Sequence, residues 1–225
     1  AFYAAAPQAD VALWSLNKFL PVVDGAILRS RRRHIDVNCP EQPPLPPYVM
    51  SAYHSHLDLN SRLALTGPQQ AVDVENESRL AYEEYYRYIS TTPISHSMSA
   101  ESKCIIANTD LEKVKETRSY NAAAYYKNIP ECYRFRTHSP VAPFGFVIVV
   151  RSPLNCEEVF ERLMAIGVMP SRLIDKWDHL PRGDDRFSNE HVFMDQHLLL
   201  PVGEDVTLDH IRKISNVLKE LSNAS

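Results

Sequence analysis

Two kinds of apolar pattern divide the chain. In its first part, short apolar runs are set off by turn residues. Residues 9–16 (ADVALWSL) and 25–30 (GAILRS), separated by the turn at Val23-Asp24-Gly25, predict two short strands, the first of them buried. Residues 49–65 and 71–90 are rich in Glu, Ala, Arg and Leu and predict helices. Residues 94–110 predict a short one, and Asp110 caps a longer one from 111 to about 128. Five tyrosines in paired positions, Tyr82, Tyr85, Tyr86, Tyr125 and Tyr126, are expected to line helix faces as packing residues.

Beyond that point the texture changes. Residues 142–152 (APFGFVIVVRS) form a strong strand signal. Asn155 is a helix cap for CEEVFERLMAIG, which Gly167 terminates. A strand in VMPSRLI follows, then a short helix running into a strand that stops at Pro201. The chain closes on an amphipathic helix with Leu208, Ile211, Ile214, Val217, Leu218 and Leu221 on one side. This order predicts an α/β fold in two parts, 1–115 and 116–225, the second a compact α/β unit.

Composition narrows the function classes. The 225 residues carry a formal net charge of -4, with 44% hydrophobic and 23% charged residues. A chain without a global positive field gives no reason to expect a nucleic-acid partner. No apolar run reaches the roughly 18 to 20 residues that cross a bilayer, so no membrane partner is expected. The four cysteines, Cys39, Cys104, Cys132 and Cys156, form no C-x-x-C pair, which favours a reduced, cytoplasmic setting. Five prolines between 39 and 48 predict an extended connector, and the basic run at 29–34 a solvated strand end.

Few constellations carry chemistry. His54 and His56 stand two apart without a third ligand at metal spacing, and His191 and His197 converge on none, so no metal is expected. No nucleophile elbow, P-loop or dinucleotide fingerprint occurs. Arg172, leaving a strand in MPSRLI, has the chemistry for a bidentate clamp on a substrate carboxylate, although a surface ion pair is the commoner use of a lone arginine there. Lys18 is the unusual residue. It stands among Leu16, Phe19 and Leu20, and an amine held in apolar surroundings loses solvation, lowers its pKa and becomes a nucleophile.

The segment SLNKFLPVVDGAIL resembles the cofactor-lysine segment of the DegT/DnrJ/EryC1/StrS-type sugar aminotransferases, fold-type I pyridoxal-phosphate enzymes. These pair a serine with a lysine ahead of an Asp-Gly-Gly turn; here the turn is Asp24-Gly25-Ala26, so the second glycine is replaced. Three later stretches are similar to the same family in the same order. ISHSMSAESKCIIANTDLEKVKETRSYNAAAYYKNI contains an Arg-x-x-Asn pattern, Arg118 and Asn121, at the start of the small domain. PFGFVIVVRSPLNCEEVFERLMAIGVMPSRLI resembles its strand–helix–strand element, and LLLPVGEDVTLDHIRKISNVLKEL its closing element.

The resemblance implies a remnant of the large domain followed by a small α/β domain. It implies pyridoxal 5'-phosphate bound as a Schiff base on Lys18, with Ser15 on its phosphate, and a proton shuttled by the lysine amine. It further implies a keto sugar, often nucleotide-linked, as acceptor, an amino donor such as glutamate, and a homodimer. In that family the aspartate on the pyridine nitrogen, the stacking aromatic and most of the phosphate loop precede the lysine. The chain is therefore expected to be the C-terminal half of such an enzyme. Two other readings stand beside it. One is a non-catalytic scaffold that keeps the fold, consistent with the altered turn. The other is a related sugar dehydratase, in which a histidine replaces the lysine, and Lys18 speaks against it.

Overall fold

A computed structural model of the chain describes residues 9–31, 40, 45–63, 68–91, 97–135, 143–172 and 185–224; the side chains of residues 18, 57–63, 68–72, 75, 89 and 224 fall outside that description. The chain is mixed α/β and divides into two compact units, residues 1–62 with 72–113, and residues 63–71 with 114–225.

In the first unit, strands β1 (Val11–Ser15) and β2 (Ala26–Ser30) pair antiparallel, with Leu13 opposite Leu28. Three helices follow: α1 (Pro47–Leu63), α2 (Pro68–Thr91) and α3 (Ala100–Asn108). The expected strand pair is present, but β1 is not buried: Val11 and Leu13 are 52% and 69% exposed. A two-stranded ribbon has one layer of side chains on each face, and only an element packed on a face buries it. The core of this unit lies instead behind the connection between the strands. Val23 packs there with Val49, Ala52, Tyr53 and Tyr85. The proline-rich connector ends as α1 begins, with Pro47 in the first turn, where a missing N–H costs nothing; residues 41–44 lie outside the described ones.

The second unit holds α4 (Leu111–Asn128), β3 (Phe146–Val149), α5 (Cys156–Met164), β4 (Ser171–Arg172), α6 (Ser188–Gln196), β5 (His197–Leu200) and α7 (Leu208–Ala224). The sheet order is β3-β5-β4, with both neighbours antiparallel to β5. The central strand's Leu198 and Leu200 are fully buried against α5 (Val159, Leu163) and α7 (Ile211, Ile214, Leu218). The caps fall where the sequence places them. Asp110 accepts from the Lys113 amide at 3.0 Å and Asn155 from the Glu158 amide at 2.8 Å. Gly167, at φ 80°, closes α5 in the left-handed region that a side chain resists. Leu208 departs from the expected stripe: in the first turn of α7 it is 38% exposed, while the buried row begins at Ile211.

The paired tyrosines split by helix geometry. Neighbours in sequence point about 100° apart, so Tyr85 and Tyr125 are buried while Tyr86 and Tyr126 are half exposed. Among the described residues, no helix is long and apolar enough to cross a membrane.

Candidate functional site

The segment carrying Lys18 is a closed loop hung between the two strands of the first unit. After Ser15, residues Leu16–Lys18 form a single 3-10 turn, in which the Leu16 carbonyl accepts from the Phe19 and Leu20 amides, both at 2.9 Å. The base of the loop is sealed by the Leu16 amide, which donates to the Gly25 carbonyl at 3.1 Å. Leu16, Leu20, Val22 and Val23 are buried, so the apolar residues that flank the lysine serve as anchors turned into the core. Asn17, between them, is exposed and accepts the Ser15 hydroxyl proton at 2.6 Å. The structure fixes the backbone of Lys18 at the end of this turn; the desolvation expected for its amine concerns a side chain outside the described residues.

The far limb of the loop is held by groups remote in sequence. Tyr53 of α1 donates its hydroxyl to the Val22 carbonyl at 2.6 Å, and Tyr85 of α2 donates to the Val23 carbonyl. Burial of each phenol raises its pKa, that of Tyr53 to about 12, so both remain donors at neutral pH. The Asp24 amide donates to the Ser102 hydroxyl at 3.3 Å. The Asp24 carboxylate accepts from the Ser99 amide at 3.1 Å and from its hydroxyl at 2.9 Å, at the N-terminus of α3. Gly25 follows at φ 107°, its backbone packed so closely against Met98 that a Cβ would stand 2.5 Å from Met98 Cε. Only glycine takes that turn without strain. Ala26 is already in β2, opposite Ser15, and no described residue other than glycine has positive φ. The replaced second glycine therefore leaves the turn intact.

Arg172, the predicted carboxylate clamp, lies in the second unit. Its guanidinium pairs with Glu157 and stacks over Phe160, 4.7 Å from the ring centroid. The arrangement is an ion pair backed by a cation–π contact. The remaining candidates take ordinary structural partners. His54 meets Glu101 at 3.0 Å, and His56 Nδ1 lies 2.9 Å from the Ser78 hydroxyl. His197 lies between Phe193, stacked at 3.7 Å, and the edge-on Phe135.

Arg118 and Asn121, the Arg-x-x-Asn pattern, are ties rather than exposed chemistry. Arg118 donates to the Pro143 and Phe144 carbonyls, at 3.4 and 3.2 Å. The buried Asn121 amide faces the carbonyls of Val202, Gly203 and Val206 at 3.3, 3.0 and 3.1 Å, which holds the turn between β5 and α7 against α4. Sequence reasoning found this pair only as a pattern. It missed Tyr53, Ser99 and Ser102 altogether, because their partners lie 31, 75 and 78 residues away.

Pyridoxal phosphate makes two demands that this loop meets by donor chemistry: a primary amine for its aldehyde, at Lys18, and a hydroxyl for a phosphate oxygen, at Ser15. The Asp24 carboxylate is committed to Ser99. The loop thus offers an amine and a hydroxyl of the chemical kinds that the anchoring end of that cofactor takes.

No family model matches the chain, and no curated protein matches it. Among solved structures, DesI in the presence of its TDP-sugar product superposes with a TM-score of 0.42 at 16% identity, over 68% of this chain and 45% of that one. The chain thus spans less than half the length of that structure, and a likeness at this level assigns neither fold nor activity.

Proposed function

We propose that this chain is the lysine-bearing part of a pyridoxal-phosphate-dependent aminotransferase of fold type I that acts on a keto sugar, nucleotide-linked in its usual form. Lys18 is the anchor, and residues 1–115 and 116–225 belong to the large and small domains. The reading is carried by the loop from Leu16 to Gly25. It puts the lysine on a sealed 3-10 turn directly after a strand, three residues beyond an exposed serine hydroxyl. Support comes from the resemblance of four segments to the sugar aminotransferases in the right order. The Asp24-Gly25 turn keeps its geometry although the second glycine is replaced.

The bound cofactor would supply the electron sink that stabilises charge at the substrate carbon bearing nitrogen. This chain's own residues do the rest. Lys18 Nζ holds the cofactor and then moves the proton at that substrate carbon. Ser15 Oγ turns from Asn17 to a phosphate oxygen. Arg172 takes the carboxylate of a donor such as glutamate by exchanging it for Glu157. In this reading the enzyme is a homodimer with its site at the subunit interface.

The test is direct. Pyridoxal phosphate titrated into the protein is expected to give a new visible absorption band that is absent in Lys18→Ala. Borohydride should then fix the cofactor's mass on the peptide holding Lys18. A protein that gives no band, or a band that survives Lys18→Ala, sinks the reading.

A further inference from the structure

The loop that carries Lys18 is not held by its own sequence alone. Its near limb is anchored by Leu16 and Leu20, but Val22, Val23 and Asp24 are each bound by a different helix: Tyr53 from α1, Tyr85 from α2, Ser99 and Ser102 from α3. Val22 and Val23 are fully buried, so without the two phenols their carbonyls would face a core that offers no water. A core needing only bulk here would be served by phenylalanine. The hydroxyls are the groups that specify where the loop stands.

We propose that Tyr53, Tyr85 and Ser102 are positioning residues that latch the loop from Leu16 to Gly25 to three helices and so fix the backbone of Lys18. The inference rests on the proposed function for what Lys18 does, and it stands on the hydrogen bonds for how the loop is held. A lysine that must meet a cofactor and then a substrate carbon gains from such a latch, because misplacement by about 1 Å costs on the order of 100-fold in rate. Tyr53 and Tyr85 pack on one another, with ring centroids 4.8 Å apart, so the two latches share one support.

Tyr53→Phe and Tyr85→Phe remove one oxygen each and keep the rings; Tyr86→Phe, on the half-exposed side of α2, is the control. Hydrogen exchange at the Leu16, Phe19, Leu20 and Asp24 amides is expected to quicken by roughly 5- to 10-fold in either latch variant, the factor that one hydrogen bond is worth. Exchange across α1 and α2 should stay as in the parent. The apparent dissociation constant for pyridoxal phosphate, read from the Lys18-dependent band and corrected for folded fraction, should weaken by a similar factor. Unchanged exchange at the four amides overturns the proposal. So does a uniform rise across α1 and α2, which would make the tyrosines packing residues only. If a tyrosine variant does not fold, Ser102→Ala unlatches the same loop from α3 and is judged by the same four amides. A parent protein that shows no band defeats the proposed function, while the exchange measurements still decide the latch.

Discussion

Replacing Asn121 with alanine takes a buried amide away from three carbonyls at once. The side-chain nitrogen carries two N–H donors and faces Val202, Gly203 and Val206 at 3.3, 3.0 and 3.1 Å, so two bonds' worth of donation is shared among three acceptors. Only the nitrogen end of the amide suits these three carbonyl acceptors. Alanine supplies no donor at a position that is 3% exposed and so closed to bulk water. Two carbonyls stripped of partners at about 1–2 kcal/mol each give a loss of about 2–4 kcal/mol, a large share of the roughly 5–15 kcal/mol that holds a domain folded. In a unit of this size that lowers its melting temperature by roughly 10 °C or more. Urea unfolding followed by far-UV circular dichroism measures it, and amide exchange in α4 and α7 assigns the transition to the second unit. Asn128→Ala is the internal control. That side chain donates to the Ala124 carbonyl of its own helix, at 2.7 Å, and its loss should cost well under about 1 kcal/mol. If Asn121→Ala costs no more than Asn128→Ala, Asn121 does not tie the Val202–Val206 turn to α4.

Three further outcomes follow from single residues. Gly25→Ala places a Cβ 2.5 Å from Met98 Cε at φ 107° and is expected to destabilise the first unit by about 1–3 kcal/mol in chemical denaturation, with Met98→Ala failing to restore it because the backbone strain remains. His197 is buried in its aromatic stack, and that burial lowers its pKa below the usual 6.5. The neutral ring is therefore native, its stability is fully present above about pH 6.5 and is lost as pH falls through the lower folded value, and His197→Gln should flatten this arm of a pH–stability profile. Arg172→Lys keeps the charge but loses the planar fork, so under the proposed function it raises KM for the amino donor several-fold with little change in kcat; an unchanged KM leaves Arg172 a structural residue on Glu157 and Phe160.

Much of this protein is legible without its fold, for local reasons. Caps bond within three residues, so Asp110 and Asn155 announce their helices, and Gly25 and Gly167 mark positive φ because no other residue tolerates it cheaply. The stripe from Ile211 to Leu221 follows from 3.6-residue periodicity, and Leu208 misses the core only because periodicity fixes a face and not where along the helix its neighbours stop. Lys18 was equally visible as an amine in an apolar run.

What no local pattern carried was the role of the residues around it. Leu16 and Leu20 are apolar because they anchor a loop in the core, and strand β1, apolar from Val11 to Trp14, is open on one face because burial depends on what packs against it. The Arg118–Asn121 pattern showed in the sequence as a motif and became a pair of ties once the acceptors at 143–144 and 202–206 were placed. Tyr53, Tyr85 and Ser102 reach across 31, 62 and 78 residues to hold the loop that Lys18 stands on. Contacts at such separations are set by how helices pack, so the sequence singled out Lys18 as the residue of interest, and the tertiary structure alone decided what holds its loop in place.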